Sequence, residues 1–98
     1  MERITSKQRA YLRRLANDIE PIFQVGKSGV TPEITEAISD ALEARELIKI
    51  NVLKNCLYTP KDICYVLAER TRSSVVQQIG RKIILYRESK ENAKIILP

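Results

Sequence analysis

Gly26-Lys27-Ser28-Gly29 holds the residue types suited to gripping an anion. Glycine has no Cβ, so it admits positive φ and lets the backbone come close to a ligand. Lys27 sets a mobile charge between the glycines, and Ser28 adds a hydroxyl. The stretch follows a strand-like run, Ile22-Phe23-Gln24-Val25, and precedes a helix start, Thr31-Pro32-Glu33. Helix N-termini offer unpaired N–H groups and the positive end of the dipole, which suits phosphate. The same four residues also fit a tight strand-to-helix turn with no ligand at all. They are too short for a P-loop, which needs G-x-x-x-x-G-K-[ST].

Little else in the chain supplies reactive groups. There is no histidine, so the commonest general base is missing. No nucleophile motif of the G-x-S-x-G kind occurs. Cys56 and Cys64 are too few to make a tetrahedral zinc site. They read as reduced thiols, with Cys64 a small core residue. The expectation is therefore a binding protein, with no catalysis, metal or cofactor. Seventeen Lys and Arg against 12 Asp and Glu leave a net charge of +5, which favours a polyanionic partner. No apolar run approaches the ~20 residues of a membrane span. The first seven residues, Met1 to Lys7, lack the apolar core of a secretion signal, so the cytosol is the expected compartment.

The elements that position these residues are readable from capping and periodicity. At 98 residues, with 44% hydrophobic and 30% charged, the chain predicts one folded domain over residues 1–98. Thr5 and Gln8 form a capping box, opening a helix from Ser6 to about Asn17. Leu12, Leu15, Ala16 and Ile19 make its apolar side. Lys7, Arg9, Arg13 and Arg14 make a polar side with no acidic neighbour, whereas a merely solvated face normally mixes signs. A strand spans Ile22 to Val25, and a second helix runs from Pro32 to about Ala44. Ile34, Ala37, Ile38, Ala41 and Leu42 line its inner stripe; Glu33, Glu36, Asp40 and Glu43 line the other side. A strand covers Leu47 to Leu53, with Ile48, Ile50 and Val52 on one face. Thr59-Pro60 starts a third helix, to about Arg70. Ser74 to Ile79 and Lys82 to Tyr86 form a hairpin around Gly80-Arg81, a type II′ pattern. Arg81, Lys82 and Arg87 are read as a cluster at this hairpin. Residues 88–98 read as a polar, mobile stretch and an apolar tail, Ile95-Ile96-Leu97, that packs back or adds an edge strand. The order α-β-α-β-α-β-β predicts an α/β fold: a four-stranded mixed sheet with helices packed on it.

Three separated stretches of this chain resemble the CRM-domain family, whose stand-alone bacterial members are called YhbY-like. They are Ser6-Lys7-Gln8-Arg9-Ala10-Tyr11-Leu12-Arg13, Val25-Gly26-Lys27-Ser28-Gly29-Val30-Thr31, and Gln78-Ile79-Gly80-Arg81 with Leu85-Tyr86-Arg87. The resemblance covers nearly the whole chain, with one such domain. It implies an RNA-binding domain with a fold like that of the C-terminal domain of translation initiation factor 3. It also implies that the GxxG loop and nearby basic surface contact RNA. Bacterial members are associated with assembly of the large ribosomal subunit; plant members with several copies act in organellar splicing.

The residues and the resemblance together give a clamp of the KH kind, in which a GxxG loop holds nucleic-acid backbone. Gly26, Lys27, Ser28 and Gly29 form it. Lys7, Arg9, Arg13 and Arg14 extend the electrostatic footprint, and Arg81 adds to it if the hairpin lies on the same side. Backbone contacts position RNA without reading bases, so weak sequence preference is expected. Phe23 and the four tyrosines are the candidates for stacking, most of them read as partly buried; Tyr11 and Tyr86 read as core-edge residues. Gly29→Asp is expected to weaken binding without unfolding the domain. The expected partner is ribosomal RNA or a large-subunit precursor, met by a monomer away from membranes. The alternative is a protein-docking module using the acidic side of the second helix.

Overall fold

Three threonines set the helix starts. The Gln8 amide donates to Thr5 Oγ1 at 3.1 Å and the Thr5 amide to Gln8 Oε1 at 3.0 Å, a complete capping box. Thr31 and Thr59 each accept an amide three residues on and are each followed by proline at the first helical position. The computed structural model describes residues 4–98; Met1, Glu2 and Arg3 lie outside the described residues. Its helices are α1 (Ser6–Ala16), α2 (Pro32–Arg45) and α3 (Pro60–Thr71). Its strands are β1 (Pro21–Val25), β2 (Leu47–Val52), β3 (Ser74–Ile79) and β4 (Lys82–Tyr86). No helix among the described residues is long and apolar enough to cross a membrane.

The strands form one sheet in the order β1-β2-β4-β3. β1 and β2 are parallel, joined through α2; β4 is antiparallel to both its neighbours. The mixed α/β sheet is thus as the alternation predicts. β4 is central and buried on both sides. Ile83 and Leu85 join Ile48, Ile50 and Val52 on one face, under α2 and α3. Ile84 and Tyr86 join Leu47 and Val76 on the other face, under Leu12 and Ala16 of α1. The sheet is therefore a middle layer, with α1 alone on one side. Leu15 departs from its expected place and stands exposed at the rim of this layer. Cys64 is in the core, where burial pushes its thiol up to about 11.

The segment after β4 departs most from expectation. It is tied down by two carboxylates of α2's last turn and C-cap. Glu43 accepts the Ser89 hydroxyl at 2.6 Å and the Lys90 amide at 3.0 Å. Glu46 is wholly buried and accepts the amides of Ser89, Lys94 and Ile95 at 2.8, 2.6 and 2.8 Å. Burial alone would raise the Glu46 pKa, but those three amides outweigh it and hold it below the ordinary value. Glu43 is held low chiefly by the Ser89 hydroxyl, then by the Lys90 amide. Ile95 and Leu97 then pack against the α1 layer as an irregular tail, not an edge strand. Arg87 is also relocated. It sits at the far end of β4 from the hairpin, donating to Ser39 Oγ, Ser39 O and Thr71 O. It staples α2 to the end of α3.

Candidate nucleic-acid interface

β1 runs straight into the glycine loop. The Gly29 amide donates to the Gly26 carbonyl at 3.0 Å, closing a four-residue turn. Lys27 and Ser28 stand exposed at its tip, while Gly29 is buried beneath them. Gly29 has φ +66°, the left-handed region that favours glycine. A Cβ there would also lie 2.9 Å from Cδ2 and Cε2 of Tyr58, closer than packed atoms come. Gly26 is different: its φ is not positive, and a Cβ would meet Leu53 Cδ1 at 3.4 Å and Asn55 Oδ1 at 3.6 Å, ordinary contact distances. So glycine is favoured at 29 by backbone and space together, whereas the fold itself would admit a Cβ at 26. Gly29→Asp accordingly strains the fold as well as altering the loop's charge, and it does not report binding alone.

The helix that follows adds fewer donors than its position promises. Pro32 has no N–H, the Ile34 amide goes to Thr31 Oγ1 at 3.2 Å, and the Thr35 amide to Thr31 O at 3.0 Å. The remaining first-turn amide belongs to Glu33, which brings a negative charge. An anion at this end would rest on the loop and Lys27, with little help from α2.

The hairpin does share this end of the sheet. The Leu53 amide donates to Val25 O at 2.8 Å, the Val52 amide to Arg81 O at 2.7 Å, and Arg81 Nη1 to Leu53 O at 3.1 Å. Arg81 is thus held one strand away from the residue that precedes Gly26. Of the two turn residues only Gly80 has positive φ, as a type II′ turn requires. Lys82 Nζ bonds Asn51 Oδ1 at 2.8 Å beside it.

The four cations of α1 fall elsewhere, on the layer that covers the opposite face of the sheet from α2 and α3. Lys7, Arg13 and Arg14 are exposed, with the Arg14 guanidinium carbon 5.9 Å from the Tyr11 ring centre. Arg9 is half-buried, its Nε donating to Val75 O at 3.3 Å along β3. The nine sequence-chosen residues therefore form two groups: Gly26, Lys27, Ser28, Gly29 and Arg81 at one sheet end, and Lys7, Arg9, Arg13 and Arg14 on α1.

Two tyrosines stand where periodicity does not place them. Tyr58 is 56% exposed and Tyr65 61%, not partly buried. A signal was available: Leu57-Tyr58 lies between Asn55 and Thr59-Pro60, outside every apolar period. Tyr65 is off the Ile63, Cys64, Leu67, Ala68 stripe of α3. On α2, Glu33, Glu36 and Asp40 are exposed, but Glu43 is taken up by the tail.

The fold and this end of the sheet define a class: a small α/β domain presenting a glycine turn and cations at the end of a mixed sheet. Residues 4–87 match the CRS1 / YhbY (CRM) domain, and the chain belongs to that family. It is 50% identical over 95 residues to the probable RNA-binding protein YqeI of Bacillus subtilis strain 168, covering 97% of this chain and 99% of that one. It is 36% identical over 98 residues to a protein of Haemophilus influenzae named as RNA-binding, covering 100% and 98%. Among solved structures it is similar to the solution structure of SAV1595 from Staphylococcus aureus, a hypothetical protein proposed to bind RNA. That match has a TM-score of 0.82 and 51% identity, over 98% of this chain and 100% of that one.

Proposed function

We propose that this chain is an RNA-binding protein that grips RNA backbone with the Gly26–Gly29 turn, and that its target is ribosomal RNA in large-subunit precursors. One observation carries the reading: Lys27 and Ser28 are lifted into solvent on a turn whose shape Gly29 fixes, with Arg81 held beside it. Two relatives are named as RNA-binding proteins, which supports the same reading. Lys7, Arg13 and Arg14 on α1 extend the contact electrostatically rather than through the loop itself. The protein acts as a monomer in the cytosol, without catalysis.

The test is sedimentation of cell lysate through a sucrose gradient at low and high salt, following the protein. Co-migration with large-subunit precursors is expected at low salt, lost at high salt and lost when Lys27, Arg13 and Arg14 become alanine. Several phosphates engaged at once imply an affinity that falls by orders of magnitude with salt. Co-migration that survives salt and instead needs Glu33, Glu36 and Asp40 would replace this reading with docking on a basic protein.

A further inference from the structure

The exposed ring of Tyr58 has no place in a pure backbone clamp. A half-exposed aromatic is common, but this one lies against the glycine turn. Its Cδ2 and Cε2 would lie 2.9 Å from a Cβ on Gly29, so a larger residue there would push the ring aside. Its other neighbour, Thr59, is the N-cap of α3, with the Asp62 amide on its Oγ1 at 3.1 Å and the Ile63 amide on its carbonyl at 3.0 Å. The ring therefore lies between two hydrogen-bonded elements, yet 56% of the residue faces solvent.

Beside it lies an open groove of about 220 Å³ between the glycine turn and α3. Val30, Ile63 and Val66 make an apolar floor; Ser28, Asp62 and Arg70 make a polar rim. The charge decides what enters. The rim sets the Asp62 carboxylate against the Arg70 guanidinium, so its charges offset, whereas Lys27 stands alone at the turn's tip and attracts phosphate. The groove thus suits the uncharged, flat part of a nucleotide, with acceptors and donors at its rim for the edge of a base.

We infer that Tyr58 stacks a nucleobase whose phosphate rests on Lys27 and Ser28, so that the RNA held at this end of the sheet is single-stranded. The inference rests on the RNA-binding reading above and adds to it the class of RNA. A duplex keeps its bases stacked on one another and offers no free face to the ring. Stacking tolerates every base, because each has a π-face. Sequence preference is then weak, and strandedness is what the site discriminates.

The experiment uses the full chain and a labelled single-stranded RNA of about ten nucleotides, within the usual span of such sites. It is compared with the same strand carrying abasic riboses at its centre, and with the strand annealed to its complement. Fluorescence anisotropy reads the affinities of wild type, Tyr58→Ala, Tyr58→Phe and Lys27→Ala, with thermal melts to show that each is folded. Wild type is expected to prefer the intact strand over the abasic one by about 5- to 100-fold. Tyr58→Ala is expected to erase that preference, and Tyr58→Phe to keep it. Equal weakening of intact and abasic strands by Tyr58→Ala overturns the inference, because it shows a ring that only props the turn. Lys27-dependent binding with no preference for bases, or for single strands, also overturns it and leaves the clamp standing. Absence of binding to every strand overturns both the clamp and the stacking.

Discussion

The two ends of the sheet use charge in opposite ways. At one end, Glu43, Glu46 and Arg87 turn inward and meet amides, hydroxyls and carbonyls at hydrogen-bond distance. At the other, Lys27 and Ser28 turn outward on a turn that Gly29 locks. Each end carries a basic side chain, Arg87 at one and Lys27 at the other, so charge alone says little about task. What separates them is whether the fold supplies partners. A buried charge without partners is costly, so Glu46 is committed to structure. An exposed lysine costs the fold nothing and is available to a ligand.

Removing Glu46 should break this contrast most. Glu46→Ala leaves the amides of Ser89, Lys94 and Ile95 without their acceptor and loosens the packing of Ile95 and Leu97 on the α1 layer. A loss of about 2–4 kcal/mol is expected, read by urea denaturation. A change under about 0.5 kcal/mol would show that the tail holds without its carboxylate.

Gly29→Ala comes next, because it tests a structural cost at the outward end. The left-handed conformation costs a non-glycine residue about 1–2 kcal/mol, and the Tyr58 ring must also shift. Tyr58→Ala in the same chain should return part of that loss by clearing the space. If the two changes are simply additive in thermal melts, ring and glycine are not in contact.

Acid should then separate the two ends in one molecule. Glu43 and Glu46 both have pKa values held below the ordinary 4.5, so the folded state binds fewer protons than the unfolded one. Their stabilisation is present above about 4.5 and is lost as pH falls through their lowered values. Amide resonances of Ser89, Lys94 and Ile95 should move first in an NMR titration toward low pH, before those of Lys27 and Ser28. Simultaneous movement would mean that the tail is no separate acid-sensitive unit.

The smallest effect on stability belongs to Lys27→Ala, expected within about 0.5 kcal/mol of wild type. Its RNA affinity should fall, and the salt slope of binding should drop by about one. A marked loss of stability would move Lys27 to the inward class.

The sheet was legible because its evidence is local. Thr-Pro caps, the alternation of Ile48, Ile50 and Val52, and Gly80 at a two-residue turn each fix an element from adjacent residues. The loop itself was legible for the same reason. The fate of Glu43 and Arg87 was not, since their partners are 46 and 48 residues away. Helical periodicity puts Glu43 on the polar side of α2 and is silent about what crosses that side. Tyr58 was missed because it obeys no period, and a ring in a loop is assigned by its neighbours in space.

Glu46 also sets an order of events. Its donors lie 43 to 49 residues later in the chain, so they are synthesised last among the contacts that matter to it. Every residue of the sheet, through Tyr86, is joined to the chain before residue 95 exists. Through that interval the carboxylate must remain hydrated, and the α1 layer lacks Ile95 and Leu97. Wrapping that later segment around the carboxylate closes contacts of long sequence separation, the kind whose loop-closure entropy must be met before any contact forms.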